Sequence, residues 1–171
     1  MKHLAQINIS HLRYDVDDRR LQDFLHGFRR VNNLAERSPG FQWRYVGDSG
    51  VAMQTTLPDR PDMIANLSVW NSIEALEHFV WATAHRPFFD RRAEWFRPLD
   101  SAHFAMWWVD PGTEPGLEEA LARLDHLTQH GDSDVAFGWT YLPQANRWRQ
   151  AWGADATART GGASATKEEA T

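Results

Sequence analysis

Residues 66–96, NLSVWNSIEALEHFVWATAHRPFFDRRAEWF, decide how the chain is read. With the three residues before it, this stretch opens on a strand over 63–70. Ile64, Asn66, Ser68 and Trp70 share one face; Met63, Ala65, Leu67 and Val69 share the other, because side chains alternate along an extended chain. Asn71 and Ser72 then offer an N-cap, and Glu74 stands three residues after Asn71, a capping-box spacing. A helix is expected over about 73–85, with Ile73, Leu76, Val80 and Thr83 on one stripe and Phe79 and Trp81 widening it. His78 and His85 are seven residues apart, too far for one shared metal, since helical chelating pairs are three or four apart. No metal site is therefore expected. His85 at the helix end also has a plain structural reading, as a cation favoured by the C-terminal dipole. Pro87 is placed to open a short second helix over 87–96, where Trp95 and Phe96 read first as packing.

Outward from there the pattern is regular. Residues 3–10, HLAQINIS, alternate: Ala5, Ile7 and Ile9 face one way, and Leu4, Gln6, Asn8 and Ser10 the other. Gln6 and Asn8 point to a polar-lined cleft or, equally, to a wet strand face. Residues 17–37 read as an amphipathic helix on Leu21, Phe24, Leu25, Phe28, Val31, Leu34 and Ala35, begun by Asp17 and Asp18 and stopped by Ser38-Pro39-Gly40. His26 beside that stripe reads as structural or exposed. The next strand, 41–46, puts Phe41, Trp43 and Tyr45 on one face and Gln42, Arg44 and Val46 on the other. Arg44 would clamp an anion or pair with a carboxylate. Residues 47–50 form a turn, and 51–61 a short strand or loop. A fourth strand, 101–109, is aromatic on both faces. A helix over 114–130, capped by Thr113 and stopped by Gly131, and a last short strand over 135–142 follow. Residues 1–153 read as one domain, and 154–171, with no aromatic or large aliphatic residue, as a disordered tail.

The composition narrows the functions available. A net charge of −5 without a basic stripe argues against nucleic acid as partner. No apolar run approaches the roughly 18 residues a membrane span needs, so no membrane partner is expected. The N-terminus carries no signal-peptide pattern. Cysteine is absent, which removes thiolate chemistry and fits a cytoplasmic location. Nine tryptophans are the outlier, suited to a core, an interface or a pocket for a flat ligand. There is no G-x-S-x-G and no Gly-rich phosphate loop.

The order β-α-β-(β)-β-α-α-β-α-β implies an α+β fold, an antiparallel sheet with helices on one face. A sheet buried on both faces then needs a second cover. The chain has too few remaining helices to supply it, so a homodimer is expected.

The blocks HLAQINIS, GFQWRYV, NLSVWNSIEALEHFVW, HRPFFDRRAEWF, AMWWVDPGTEP and EALARLDHL…DVAFGW, in this order, closely resemble a bacterial family called domain of unknown function 3291. That family is similar to the antibiotic-biosynthesis monooxygenases of the dimeric α/β barrel superfamily. The resemblance, over about residues 3–140, implies ferredoxin-like protomers that pair their sheets into a barrel, each with a pocket between sheet and helices. It implies no single reaction. Cofactor-free oxygenases of that superfamily use a pocket Asn and Trp, parts that Asn66 and Trp70 would play here. Haem-binding relatives use a helix His as iron ligand, a part open to His85 or His78. The cofactor expectation is thus none or haem.

Three functions are carried forward. One is a monooxygenase-like enzyme for a flat or aromatic small molecule, with Asn66 and Asn8 steadying a developing oxyanion and His85 moving a proton. Trp70, Trp43 and Trp95 would line its substrate site with Gln6 and Ser68, and Arg44 would hold an acidic group. The second is a haem enzyme, and the third a small-molecule binder without catalysis.

Overall fold

The computed structural model describes residues 1–47, 56–57, 60–83 and 90–145. The centre of its sheet is β1 (His3–Leu12). β1 pairs antiparallel with β4 (Arg60–Trp70) along one edge and with β6 (Phe104–Val109) along the other. β2 (Phe41–Arg44) flanks β4, to which the two-residue β3 (Thr56–Leu57) also pairs. β5 (Phe96–Arg97) adds to the last residues of β1. With α1 (Gln22–Glu36) between β1 and β2, and α2 (Ile73–Ala82) between β4 and β6, the order β2-β4-β1-β6 is ferredoxin-like. The fold is the expected α+β one.

Local chemistry explains the element ends. Asp18 caps a 3₁₀ turn, Arg19–Leu21, that leads into α1; its carboxylate accepts from the Arg20 backbone N–H at 2.9 Å. Hydrogen bonds from the side chain and the backbone of Arg20 hold the Asp18 carboxyl down to about 2. After α1, Gly40 turns the chain at φ +86°, a conformation that L side chains resist. A Cβ there would also clash with Ala75 and Asn71, and the Gly40 carbonyl accepts from Asn71 N–H at 2.8 Å. The end of α1 is thus locked against the start of α2. Of the two offered caps, Ser72 is the one used, its Oγ accepting from Ala75 N–H at 3.2 Å.

Several expectations are corrected. α2 ends at Ala82, because Thr83 is already extended, and not near residue 85. The start of the expected second helix lies outside the described residues, its end forms the turn α3 (Arg92–Trp95), and Phe96 belongs instead to β5. The last helix, α4 (Leu117–His130), starts after Gly116, so Thr113 is not its cap. Residues 135–142 form no strand. Phe137 exchanges two backbone hydrogen bonds with Met106, and then a 3₁₀ turn, Trp139–Tyr141, leaves the edge. Asp132 causes the departure by accepting from Gly138 N–H at 2.7 Å and from the Thr140 hydroxyl at 2.9 Å. The β2 face pattern also breaks. A bulge between Phe41 and Trp43 pairs Phe41 with Trp70 but Trp43 with Val69, so these two aromatics lie on opposite faces. Parts of the expected 47–50 turn and 51–61 strand, and the whole 154–171 tail, lie outside the described residues.

The largest correction concerns the layers. The helices do not all lie on one face. α1 and α2 cover the face that carries Leu4, Trp70 and Met106. α4 covers the other, where Ala120 and Leu124 pack on Ala5, Ile7, Leu67, Val69 and Trp107. The chain supplies the second layer that the sequence seemed to lack, and the argument that a second copy must do so no longer holds.

Candidate functional site

Under α1 and α2 the core is not continuous. Rows of residues opposite one another on β4 and β1 run Trp70–Leu4, Ser68–Gln6, Asn66–Asn8, Ile64–Ser10. Trp70 and Leu4 belong to an apolar cluster with Ala35, Ile73, Leu76, Phe79 and Met106. Ile64 packs on a second cluster, with Leu12, Leu21, Phe24, Leu25 and Trp95. Between the two lies a band of amides and one hydroxyl. α1 repeats the pattern: Phe24 and Phe28 serve the second cluster, Val31 and Ala35 the first, and Asn32 stands between them.

The band is a directed hydrogen-bond chain. Gln6 Nε2 donates to Ser68 Oγ at 2.8 Å and to Asn66 Oδ1 at 3.1 Å. Ser68 Oγ also accepts from the Trp70 indole N–H at 3.0 Å, and Asn66 Nδ2 donates to Asn32 Oδ1 at 3.4 Å. Gln6, Asn32 and Ser68 are 6%, 4% and 5% exposed. Unpaired, each polar group would cost about 1–3 kcal/mol, so the bonds are what make this burial tolerable. The chain also orients Asn66. Its carbonyl faces Gln6, one N–H faces Asn32, and the second N–H is left over. Asn8, half-buried and directly opposite Asn66, makes no side-chain hydrogen bond among the described residues. Across β1 from it lies Phe104, stacked on Trp139 with ring centroids 5.6 Å apart and planes 11° apart. Two adjacent amides with spare donors beside a flat aromatic wall can hold an oxygen atom of a planar molecule.

The other sequence candidates divide clearly. Gln6, Asn8, Asn66 and Ser68 come together. Trp70 joins them only as a donor to Ser68; it is 1% exposed, stacked on Phe79, and presents no face to a ligand. Trp43 is on the opposite face of the sheet. Trp95 is 2% exposed in the second apolar cluster. Arg44 shares the face of Ser68 but meets Glu36 at 2.6 Å across the end of α1, the carboxylate alternative. His78 is on the exposed side of α2, while Ile73, Leu76, Glu77 and Phe79 are the buried residues of that helix. It therefore does not fit as the histidine that would hold a haem between sheet and helices. His85 lies outside the described residues. Among the described residues no group of three or more His, Asp or Glu side chains could hold a metal ion.

Sequence reasoning missed Asn32, Phe104 and Trp139. Asn32 carried a usable signal: it falls on the α1 stripe, four residues after Phe28, where an apolar side chain would be expected. For Phe104 and Trp139 there was none, because only the turn at Asp132 brings them together.

A family model for a domain of unknown function, DUF3291, matches residues 3–153. The chain belongs to the DUF3291 family. Among solved structures, this DUF3291 chain is similar to the Pseudomonas aeruginosa protein PA3566, at 10% identity and a TM-score of 0.45, over 66% of this chain and 97% of that one. It is similar to a conserved protein of Methanosarcina mazei Go1, at 9% identity and a TM-score of 0.45, over 64% and 93%. It is also similar to a proposed antibiotic biosynthesis monooxygenase of Chloroflexus aurantiacus J-10-fl, at 16% identity and a TM-score of 0.42, over 67% and 98%. No curated protein matches. No helix among the described residues is long and apolar enough to cross a membrane.

Proposed function

We propose that this DUF3291 protein is a small-molecule enzyme of monooxygenase type, taking a flat, oxygen-bearing aromatic substrate at the Asn66–Asn8 pair. The observation that carries the reading is the pair itself. Asn66 is held in one orientation by Gln6 and Asn32, Asn8 is unspent, and Asn8 stands between Asn66 and Phe104 of the Phe104–Trp139 stack. Preorganised donors of this kind stabilise charge as it develops on a substrate oxygen, because no reorientation is needed at the moment of reaction. In the proposed reaction a phenolic substrate loses its proton and the two amides hold the phenolate oxygen. The electron-rich ring then donates electrons to dioxygen, which is the oxidant: a C–O bond forms to give a ring hydroperoxide, and loss of water breaks the O–O bond, leaving one oxygen in a quinone product and the other in water. His85 keeps its proposed role as proton carrier. The homodimer stays part of this reading as a proposal, now without the support of an uncovered sheet face.

One observation favours a second reading, a binder without catalysis. The band consists of amides and a hydroxyl, with no titratable side chain in its hydrogen-bond chain. The test is oxygen uptake and fluorescence-monitored binding with a panel of polycyclic phenols, for wild type, Asn66→Ala and Asn8→Leu. The enzyme reading expects turnover that falls about 100-fold in Asn66→Ala, the usual loss for one oxyanion donor. Binding with no oxygen uptake would move the assignment to the binder. Equal turnover in all three proteins would remove the amide pair from the mechanism.

A further inference from the structure

A concavity lies away from the amide band, beyond the second apolar cluster. It is a groove of about 520 Å³ formed by the end of β1, the loop that follows it to residue 18, the start of β4, and Arg97 of β5. That volume suits a small-molecule ligand, for which pockets run from about 300 to 1,000 Å³. Two pairs among its charged side chains are already satisfied. Arg20 meets Asp18 at 2.6 Å and also lies over the Tyr14 ring, 3.7 Å from its centroid. His11 meets Asp62 at 2.8 Å.

Arg13 and Arg97 are different. Neither pairs with a carboxylate among the described residues. Each is anchored to backbone instead. Arg13 Nε donates to the Phe96 carbonyl at 2.8 Å, and Arg97 Nη2 to the Arg13 carbonyl at 3.3 Å. The two anchors cross the β1–β5 pairing, so they hold both guanidinium groups at one end of the groove. Each keeps several N–H donors and its full charge, in a fork whose geometry matches a carboxylate or a phosphate. Fixing the guanidinium on a carbonyl lowers the entropy lost when an anion binds.

We propose that this groove is a binding site for a small carboxylate- or phosphate-bearing molecule, held by Arg13 and Arg97. Asp15 and Asp17 line the same groove without ion pairs among the described residues, and with Asp18 and Asp62 they set four carboxylates against the guanidinium groups of Arg13, Arg20 and Arg97. They leave the groove without surplus positive charge, so a compact anion gripped by directed hydrogen bonds fits and a polyanion does not. The site stands independently of the amide band.

The test is a titration of the full chain at low salt, followed by NMR amide shifts, in separate arms with inorganic phosphate and with succinate. Saturable shifts confined to residues 11–20, 61–62 and 97 are expected in at least one arm, and the arm that binds more tightly names the ligand class. R13Q/R97Q should weaken that binding at least tenfold while its thermal midpoint stays near wild type, since both side chains are exposed. Arg123→Gln, on α4, is the control for net charge and should leave binding unchanged. Absence of saturable shifts in both arms would overturn the proposal. So would equal weakening in R123Q and in the double variant.

Discussion

The two faces of the sheet are built from alternate residues of the same three strands, yet they are packed on different terms. Beneath α4 the rows read Val69–Ala5–Trp107 and Leu67–Ile7–Ala105, closed by Ala120 and Leu124, with the Trp107 indole N–H as their one side-chain polar group, buried and without a hydrogen-bond partner among the described residues. Beneath α1 and α2 the matching rows read Ser68–Gln6–Met106 and Asn66–Asn8–Phe104. The first face is what burial of apolar area alone would select. The second gives up apolar area in the middle of the core and offsets the loss with hydrogen bonds. A break of this kind in an otherwise apolar core is expected at functional sites, where a local packing rule is given up for something other than stability. The placement of the amide pair on that face is the strongest reason to look for a ligand there.

Mutations can break or sharpen the contrast. The largest effect is expected on the apolar face. Leu67, 1% exposed, has no polar role, and Leu67→Ala should lower stability by about 2–5 kcal/mol in urea unfolding, with bound ligand unaffected in the protein that remains folded. A loss below about 1 kcal/mol would show that α4 does not close this face tightly.

On the amide face the effect should depend on the partner. Gln6→Leu strips a donor from both Ser68 and Asn66 and should cost about 1–3 kcal/mol. Adding Asn66→Leu to it should cost less than the sum of the two single changes, because neither side chain is then left wanting the other. Strict additivity in the double-mutant cycle would mean that the band is not one network.

The smallest effect is expected outside both faces, at the cap of the 3₁₀ turn before α1. The Asp18 carboxyl is held at about 2, against an ordinary 3.8, by hydrogen bonds from Arg20. A folded-state value below the unfolded one means that ionisation favours folding. The contribution is complete above pH 3.8 and disappears as the pH falls toward 2. Acid unfolding of Asp18→Asn should therefore be shallower than that of wild type across that window and follow a parallel course above it. Identical acid limbs would show that the Arg20 pairing is absent in solution.

Much of the site was legible because strands have a period of two. Once 3–10 and 63–70 were read as strands, Gln6 with Asn8 and Asn66 with Ser68 had to share faces, whatever those faces met. The same logic failed at Phe41 and Trp43, where one bulged residue reversed the alternation and carried Trp43 to the other side. Sequence pattern also could not rank the tryptophans. Trp70 was expected to stack on a substrate and its burial shows it to be core, while Trp95, read first as packing, is buried as well.

The sequence by itself determined the order of β1, α1, β2, β4, α2, β6 and α4, the apolar stripes of α1 and α4, and which residues of β1 and β4 travel together, since these follow from backbone geometry and local spacing. Tertiary structure decided which surface each stripe meets. The stripe of α4, with Ala120, Leu121, Leu124 and Leu127 at three- and four-residue spacing, says that one side must be covered and is silent on what covers it. The fold turned it onto the sheet face that had seemed to await a second copy. It likewise set Asn32 against Asn66, thirty-four residues apart in the chain, and so made a buried amide band from residues that show no connection in one dimension.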